Sequence, residues 1–134
     1  MMPQSTRVPR HVFVYGTLRA GGSNDIARYV PRPEHVGDGA VAGTLYDLGD
    51  YPGAVLGGAG RIVGEVYRIA GDVEARLDAL EGVMADGSGE YRKQAVDVAV
   101  DGRPVACLVY EIHPERLVGR TVIRSGNWFD RRRA

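Results

Sequence analysis

The sequence has almost no cysteine. Cys107 stands alone among 134 residues, so no intramolecular disulfide can form and a reducing compartment is expected. Its surroundings, VACLVYEI, read as a strand, and there the thiol serves as a small buried hydrophobe rather than a nucleophile. Net charge is also missing: 17 basic side chains balance 17 acidic ones. Without a broad basic field, nucleic acid is not expected as a partner. The local exception, Arg131, Arg132 and Arg133, reads as a solvated terminus. No apolar run approaches the roughly 18 residues of a membrane span. The opening MMPQSTRVPR is polar, carries two prolines and is unlike a signal peptide. The expectation is a cytoplasmic protein without a membrane partner. The histidines His11, His35 and His113 are scattered and none sits at ligand spacing with another candidate, so a structural metal site is not expected.

Glycine, by contrast, is abundant, with 19 residues spread along the chain and no repeat. That suits a β-rich fold with many turns and bulges. The length points to one domain: a frayed N-terminus over 1–10, a single domain over 11–128 and a basic tail over 129–134. Strands are expected at 11–15, 40–48, 61–69, 91–100, 104–110 and 119–123. Residues 49–60 read mostly as loop, with a short strand at 54–56. Asp101-Gly102 marks a hairpin. A short polar helix is expected in 23–30, capped by Ser23 or Asn24 and stopped by Pro31 and Pro33. The principal helix lies in GDVEARLDALEGV, with Asp72 as N-cap, Val73, Leu77 and Leu80 as its apolar stripe, and Gly82 as its stop. The sum is an α+β chain: a mixed or antiparallel sheet of five to seven strands, curled or closed, with one principal helix and short flanking helices.

Two local features carry candidate chemistry. Residues 16–23, GTLRAGGS, match the phosphate-loop pattern G-x-x-x-x-G-K-[ST] except that Gly22 replaces the lysine. Without that lysine, and without a long following helix, a nucleotide cradle is not expected. What remains is a strand end followed by Gly16, Thr17 and Leu18, whose consecutive N–H groups suit a carboxylate or an oxyanion. The second feature is Glu81, an acid in the last turn of its helix, where the dipole disfavours a carboxylate by about 0.3–1 kcal/mol. Next to Leu80 it stands near the core boundary, and burial would raise its pKa toward the range useful for proton transfer. Asp78, one turn earlier, would add to that rise if both were poorly solvated; the alternative is that it faces water on the helix flank. For Glu81 the alternative is an exposed glutamate that tolerates its position. Glu90, in ADGSGEYR beside Tyr91, is a rival acid that reads as exposed in a loop before a strand.

The pairing of VFVYGTLR at 12–19 with LDALEGV at 77–83 resembles the γ-glutamylcyclotransferase-like superfamily, in its small single-domain γ-glutamylamine cyclotransferase-like branch. LYDLGDYP at 45–52, Asn24, Tyr91-Arg92, Val109-Tyr110 and SGNW at 125–128 extend the likeness over nearly the whole chain. The resemblance implies a small mixed β-barrel flanked by helices. It implies an intramolecular reaction in which the α-amine of a γ-glutamyl group attacks its own γ-carbonyl and releases an amine and 5-oxoproline. No metal or organic cofactor is implied. Glu81 takes the place of the family's general acid/base, and Tyr15, Gly16, Thr17 and Leu18 that of its substrate-binding loop. Tyr51, Tyr91 and Tyr110 are second candidates for lining the pocket, each with core packing as the alternative. Arg19 reads as a surface arginine or as a lure for substrate carboxylates. Asn127 stands where members of the family often carry aspartate. The rival expectation is a non-catalytic small-ligand binding module on the same barrel. Neither the leaving amine nor an oligomeric state follows from the sequence.

Overall fold

A computed structural model describes residues 10–84 and 88–130. The expected frayed end before Arg10 and the arginines at 131–133 lie outside the described residues, as do 85–87 of the ADGSGEYR segment. The strands are β1 (Arg10–Val14), β2 (Glu34–Asp47), β3 (Pro52–Ile69), β4 (Tyr91–Val100), β5 (Arg103–Ile112) and β6 (Thr121–Ile123); the helix α1 spans Gly71–Leu80. Five strands close into a ring in the order β3-β1-β5-β4-β2 and back to β3, with β6 added on β2. All these pairings are antiparallel except β1 with β5, which run parallel with Val12 opposite Leu108. The described residues thus form a small mixed barrel with one α-helix and short 3₁₀ turns, as expected.

Alternation along the strands builds two cores. Phe13, Tyr15, Val66, Cys107 and Val109 belong to one cluster, and it also takes Ile62, Val98 and Trp128. Their neighbours Val12, Val14, Tyr67, Leu108 and Tyr110 belong to the other, with Val73 and Leu77 of α1 and Ile26. One side of the sheet therefore packs on itself across the barrel, and the other is covered by the helix. Cys107 is buried in the first cluster, and burial pushes its thiol up to about 11, which leaves it inert at neutral pH.

Several elements differ from expectation. The stretch 49–60 is not mainly loop: Pro52 begins an 18-residue strand. Its pairing with β2 jumps from Leu56 opposite Gly43 to Arg61 opposite Ala42, so Gly57–Gly60 bulge out of the ladder. Positive φ at Gly57 and Gly58 makes that detour possible. The helix cap is Ala70 rather than Asp72, which lies in the first turn and favours the dipole there. Leu80 does not complete the apolar stripe; it is exposed beside the cavity described below. The short helix after Asn24 is only a 3₁₀ turn, Ile26–Arg28, capped by the Asp25 carboxylate on the Ala27 N–H. The hairpin at Asp101-Gly102 has both residues at positive φ, as that two-residue turn requires.

Candidate active site

The chain leaves β1 at Val14 and folds back on itself at once. The carbonyl oxygens of Gly16, Thr17 and Leu18 accept from the N–H groups of Arg19, Asn24 and Ile26, at 3.0, 2.8 and 2.9 Å. Asn24 Nδ2 also donates to Thr17 Oγ1. Among the described residues, no acceptor meets the N–H groups of Gly16, Thr17 or Leu18. The loop therefore satisfies its carbonyls internally and leaves three consecutive donors open, which is the property of an anion nest. Its fold also explains the absent lysine. A Cβ on Gly22 would overlap the Thr17 carbonyl oxygen, so the position admits no side chain.

Glu81 is the C-cap of α1, and Gly82 follows at φ +67 to turn the chain out of the helix. Burial pushes the Glu81 carboxyl up to about 7, and the nearby Glu90 adds to the rise. Asp78 contributes nothing there. It accepts from Lys93 Nζ at 3.0 Å and from the Tyr110 hydroxyl at 2.7 Å. Lys93 also bonds the fully buried Glu74, both of whose carboxylate oxygens Arg10 holds as well. Burial alone would raise Glu74; the bonds from Arg10 and Lys93 outweigh it and leave its carboxyl below the usual range.

Glu90 is a partner rather than a bystander. It is half-buried, and its carboxylate accepts from the Tyr51 hydroxyl at 2.5 Å. The segment reaches Glu81 because two glycines let backbone touch backbone: a Cβ on Gly89 would overlap the Gly82 carbonyl oxygen. That Gly82–Gly89 pair was the available sign of the contact.

One cavity of about 270 Å³ joins these parts. Tyr15, Gly16, Thr17 and Leu18 line it, as do Glu81 and the tyrosines Tyr51, Tyr91 and Tyr110. All eight residues singled out from the sequence thus share one wall system. Asp50 and Pro52, which were not singled out, line it too, as does Glu90, the acid read as exposed. The tyrosines are anchored: Tyr15 to the Tyr110 carbonyl and Tyr91 to the Pro52 carbonyl, both at 2.5 Å. Burial pushes Tyr15, Tyr91 and Tyr110 well above the ordinary phenol range, so all three stay protonated.

Arg19 does not line the cavity. Its guanidinium bonds Glu65 and Asn127 Oδ1, each at 2.8 Å, and lies 4.3 Å from the centre of the Phe129 ring. Asn127 Oδ1 also accepts from the Phe129 N–H. Both roles need only an acceptor oxygen, so asparagine fills a position where aspartate would also work. Among the described residues, no group of three His, Cys, Asp or Glu side chains is arranged to hold a metal, and no helix is long and apolar enough to cross a membrane.

Known proteins show the same architecture. The sequence model of the family described as "Gamma-glutamyl cyclotransferase, AIG2-like" matches residues 12–130. The gamma-glutamylcyclotransferase family protein YtfP of Escherichia coli (strain K12) is 36% identical over 121 residues, covering 90% of this chain and 96% of that one. The crystal structure of an AIG2-like protein from Mus musculus superposes with a TM-score of 0.69 at 28% identity, over 83% of this chain and 84% of that one. YkqA from Bacillus subtilis gives a TM-score of 0.72 at 27% identity over 93% of this chain, which spans only 41% of that longer one.

Proposed function

The chain belongs to the gamma-glutamyl cyclotransferase, AIG2-like family, and from that premise we propose that it cyclises a small γ-glutamyl amine or peptide to 5-oxoproline and a free amine. The carrying observation is that Glu81, raised to about 7, shares one cavity with the open N–H groups of Gly16, Thr17 and Leu18. In this reading the loop amides hold a substrate carboxylate or the carbonyl oxygen as it gains charge. The cavity folds the γ-glutamyl chain so that its α-nitrogen reaches the γ-carbonyl carbon, and the five-membered ring closes without a second substrate. The new C–N bond forms as the nitrogen gives a proton to Glu81. The old amide C–N bond then breaks as Glu81 returns that proton to the leaving nitrogen. Atoms balance without water. A group titrating near neutrality suits both halves of the cycle, because it neither holds nor refuses the proton strongly.

The test is release of 5-oxoproline from a panel of γ-glutamyl amines and dipeptides, comparing the native protein with Glu81→Gln. Loss of a proton carrier of this kind is expected to cost roughly 10²–10⁴-fold in kcat. Equal release from both proteins would remove Glu81 from the mechanism. Retained ligand binding with no release from any substrate would make the barrel a binding module.

A further inference from the structure

The first part of β3 has a strand on one side only. Over 52–56 it pairs with β2, and its pairing with β1 begins only at Glu65. Alternate residues of a strand turn their backbone groups to opposite edges. Pro52, Ala54 and Leu56 turn theirs away from β2, and among the described residues no strand takes that edge. Three side chains take it instead. The Tyr91 hydroxyl donates to the Pro52 carbonyl at 2.5 Å, the Ala54 N–H to the Tyr15 hydroxyl oxygen at 3.3 Å, and the Leu56 N–H to Glu111 Oε2 at 2.9 Å. Each stands where the backbone of a neighbouring strand would otherwise be.

This side-chain ladder is fastened to the end of β5. The Tyr110 carbonyl takes the Tyr15 hydroxyl proton. Ile112 packs on the bare face of Gly53, where a Cβ would lie 2.8 Å from its own. Glu111, between them, holds Leu56. It is 7% exposed and does not line the cavity. Its other oxygen accepts from Gln94 Nε2 at 3.1 Å and Arg92 Nε at 3.3 Å. A buried carboxylate is costly to keep; here it accepts from a backbone N–H and two side chains at once. What the ladder holds is the wall of the cavity. Tyr15 leads into the amide loop, Tyr91 follows Glu90, which acts on Glu81, and Pro52 lies where a Cβ on Gly16 would be. A shift of 52–56 is therefore felt at the loop and at both tyrosines.

We propose that Glu111 is a positioning residue of the cyclotransferase site: through Leu56 it fixes 52–56 against β5 and so sets Tyr15, Tyr91 and the loop amides in register with Glu81. The inference rests on the cyclotransferase reading for what is being positioned. The role depends on reach rather than charge. It needs an acceptor oxygen at the end of a glutamate-length side chain, which glutamine supplies and aspartate does not. Gln94 can present its amide oxygen to the NH2 of a glutamine there.

The experiment compares Glu111→Gln and Glu111→Asp with the native protein, at a temperature where melts show the proteins folded. In 5-oxoproline release, kcat should stay within about threefold of native in Glu111→Gln and fall at least about tenfold in Glu111→Asp, with KM changing less than kcat. A carboxyl-carbon NMR titration of Glu81 reads the same site without turnover. Its midpoint, about 7 in the native protein, holds in Glu111→Gln and falls toward the ordinary carboxyl value in Glu111→Asp as water reaches the group. Hydrogen exchange of the native protein should protect the Ala54 and Leu56 amides as strongly as those of Gly53 and Val55, which turn to β2. Native kcat and a native midpoint in Glu111→Asp overturn the proposal. An equal loss in both variants overturns it too, and assigns the effect to charge. Fast exchange at Leu56 overturns it even where Glu111→Asp does not fold. If the native protein releases no 5-oxoproline from any substrate, the cyclotransferase reading falls by itself, and the Glu81 midpoint still decides whether Glu111 positions the cavity.

Discussion

A carboxyl that ionises only near pH 7 in the fold, and near 4.5 once unfolded, works against folding at neutral pH. Between those values the unfolded chain has lost the proton while the folded one keeps it, so stability falls as pH rises through the window and is flat above it. For Glu81 the shift corresponds to at most about 3 kcal/mol. Glu81→Gln should therefore match the native protein in chemical denaturation at about pH 4 and exceed it by up to about 3 kcal/mol at about pH 8. A variant that loses activity and gains stability at alkaline pH is the signature of an acid kept for chemistry. Glu90→Gln removes the second cause of the shift, so the Glu81 limb of the pH–rate profile should move to lower pH. At this scale the sequence disclosed Glu81, because a carboxylate at a helix C-terminus conflicts with the dipole. It offered Glu90 only as an exposed rival acid, because its effect on Glu81 depends on Gly89 meeting Gly82, and it left Asp78 either facing water or beside Glu81, where the fold bonds it to Lys93.

Between elements, the loop after β1 and the start of β3 meet at a glycine. A Cβ on Gly16 would lie 2.5 Å from Cγ of Pro52, whose carbonyl oxygen holds Tyr91. Gly16→Ala must push Pro52 away and shift the Tyr91 anchor, at a stability cost of about 1–3 kcal/mol. Steady-state kinetics should show kcat/KM falling at least about tenfold, because the open amides and the tyrosine wall lose register together. Strands and helix were legible where a period spoke: β4 and β5 from their alternation and the Asp101-Gly102 turn, α1 from Val73 and Leu77. The first part of β3 was not. Five glycines in 49–60 masked it, and its continuity depends on β2 as a partner, which no local pattern encodes. Asp72 misled as a cap because Gly71 is already helical, and the dipole favours an acid one turn inward just as well.

Over the whole molecule, Arg19 fastens the loop after β1 to Glu65 of β3 and to Asn127 near the C-terminal end. Glu65 is buried and takes three donors, from Arg19, the Ala20 N–H and the Tyr67 hydroxyl. Glu65→Ala would strand the guanidinium and should cost about 3–5 kcal/mol. Asn127→Ala should cost about 2 kcal/mol, and Asn127→Asp should stay within about 0.5 kcal/mol of native, both read from thermal melts. The class of the fold was legible from strand count and order, but not the route by which the ring closes. That route runs through β1 and β5, the lone parallel pair among the described residues, with Val12 opposite Leu108 across most of the sequence. Seen from the ribosome, β1 is made early and must wait, with one edge unsealed, until β5 has emerged. Tyr110 lies on that late strand, so the pocket is among the last parts of the nascent chain to take shape. A chain halted within the β4–β5 hairpin would carry the whole amide loop yet have neither a sealed barrel nor a cavity to present it to.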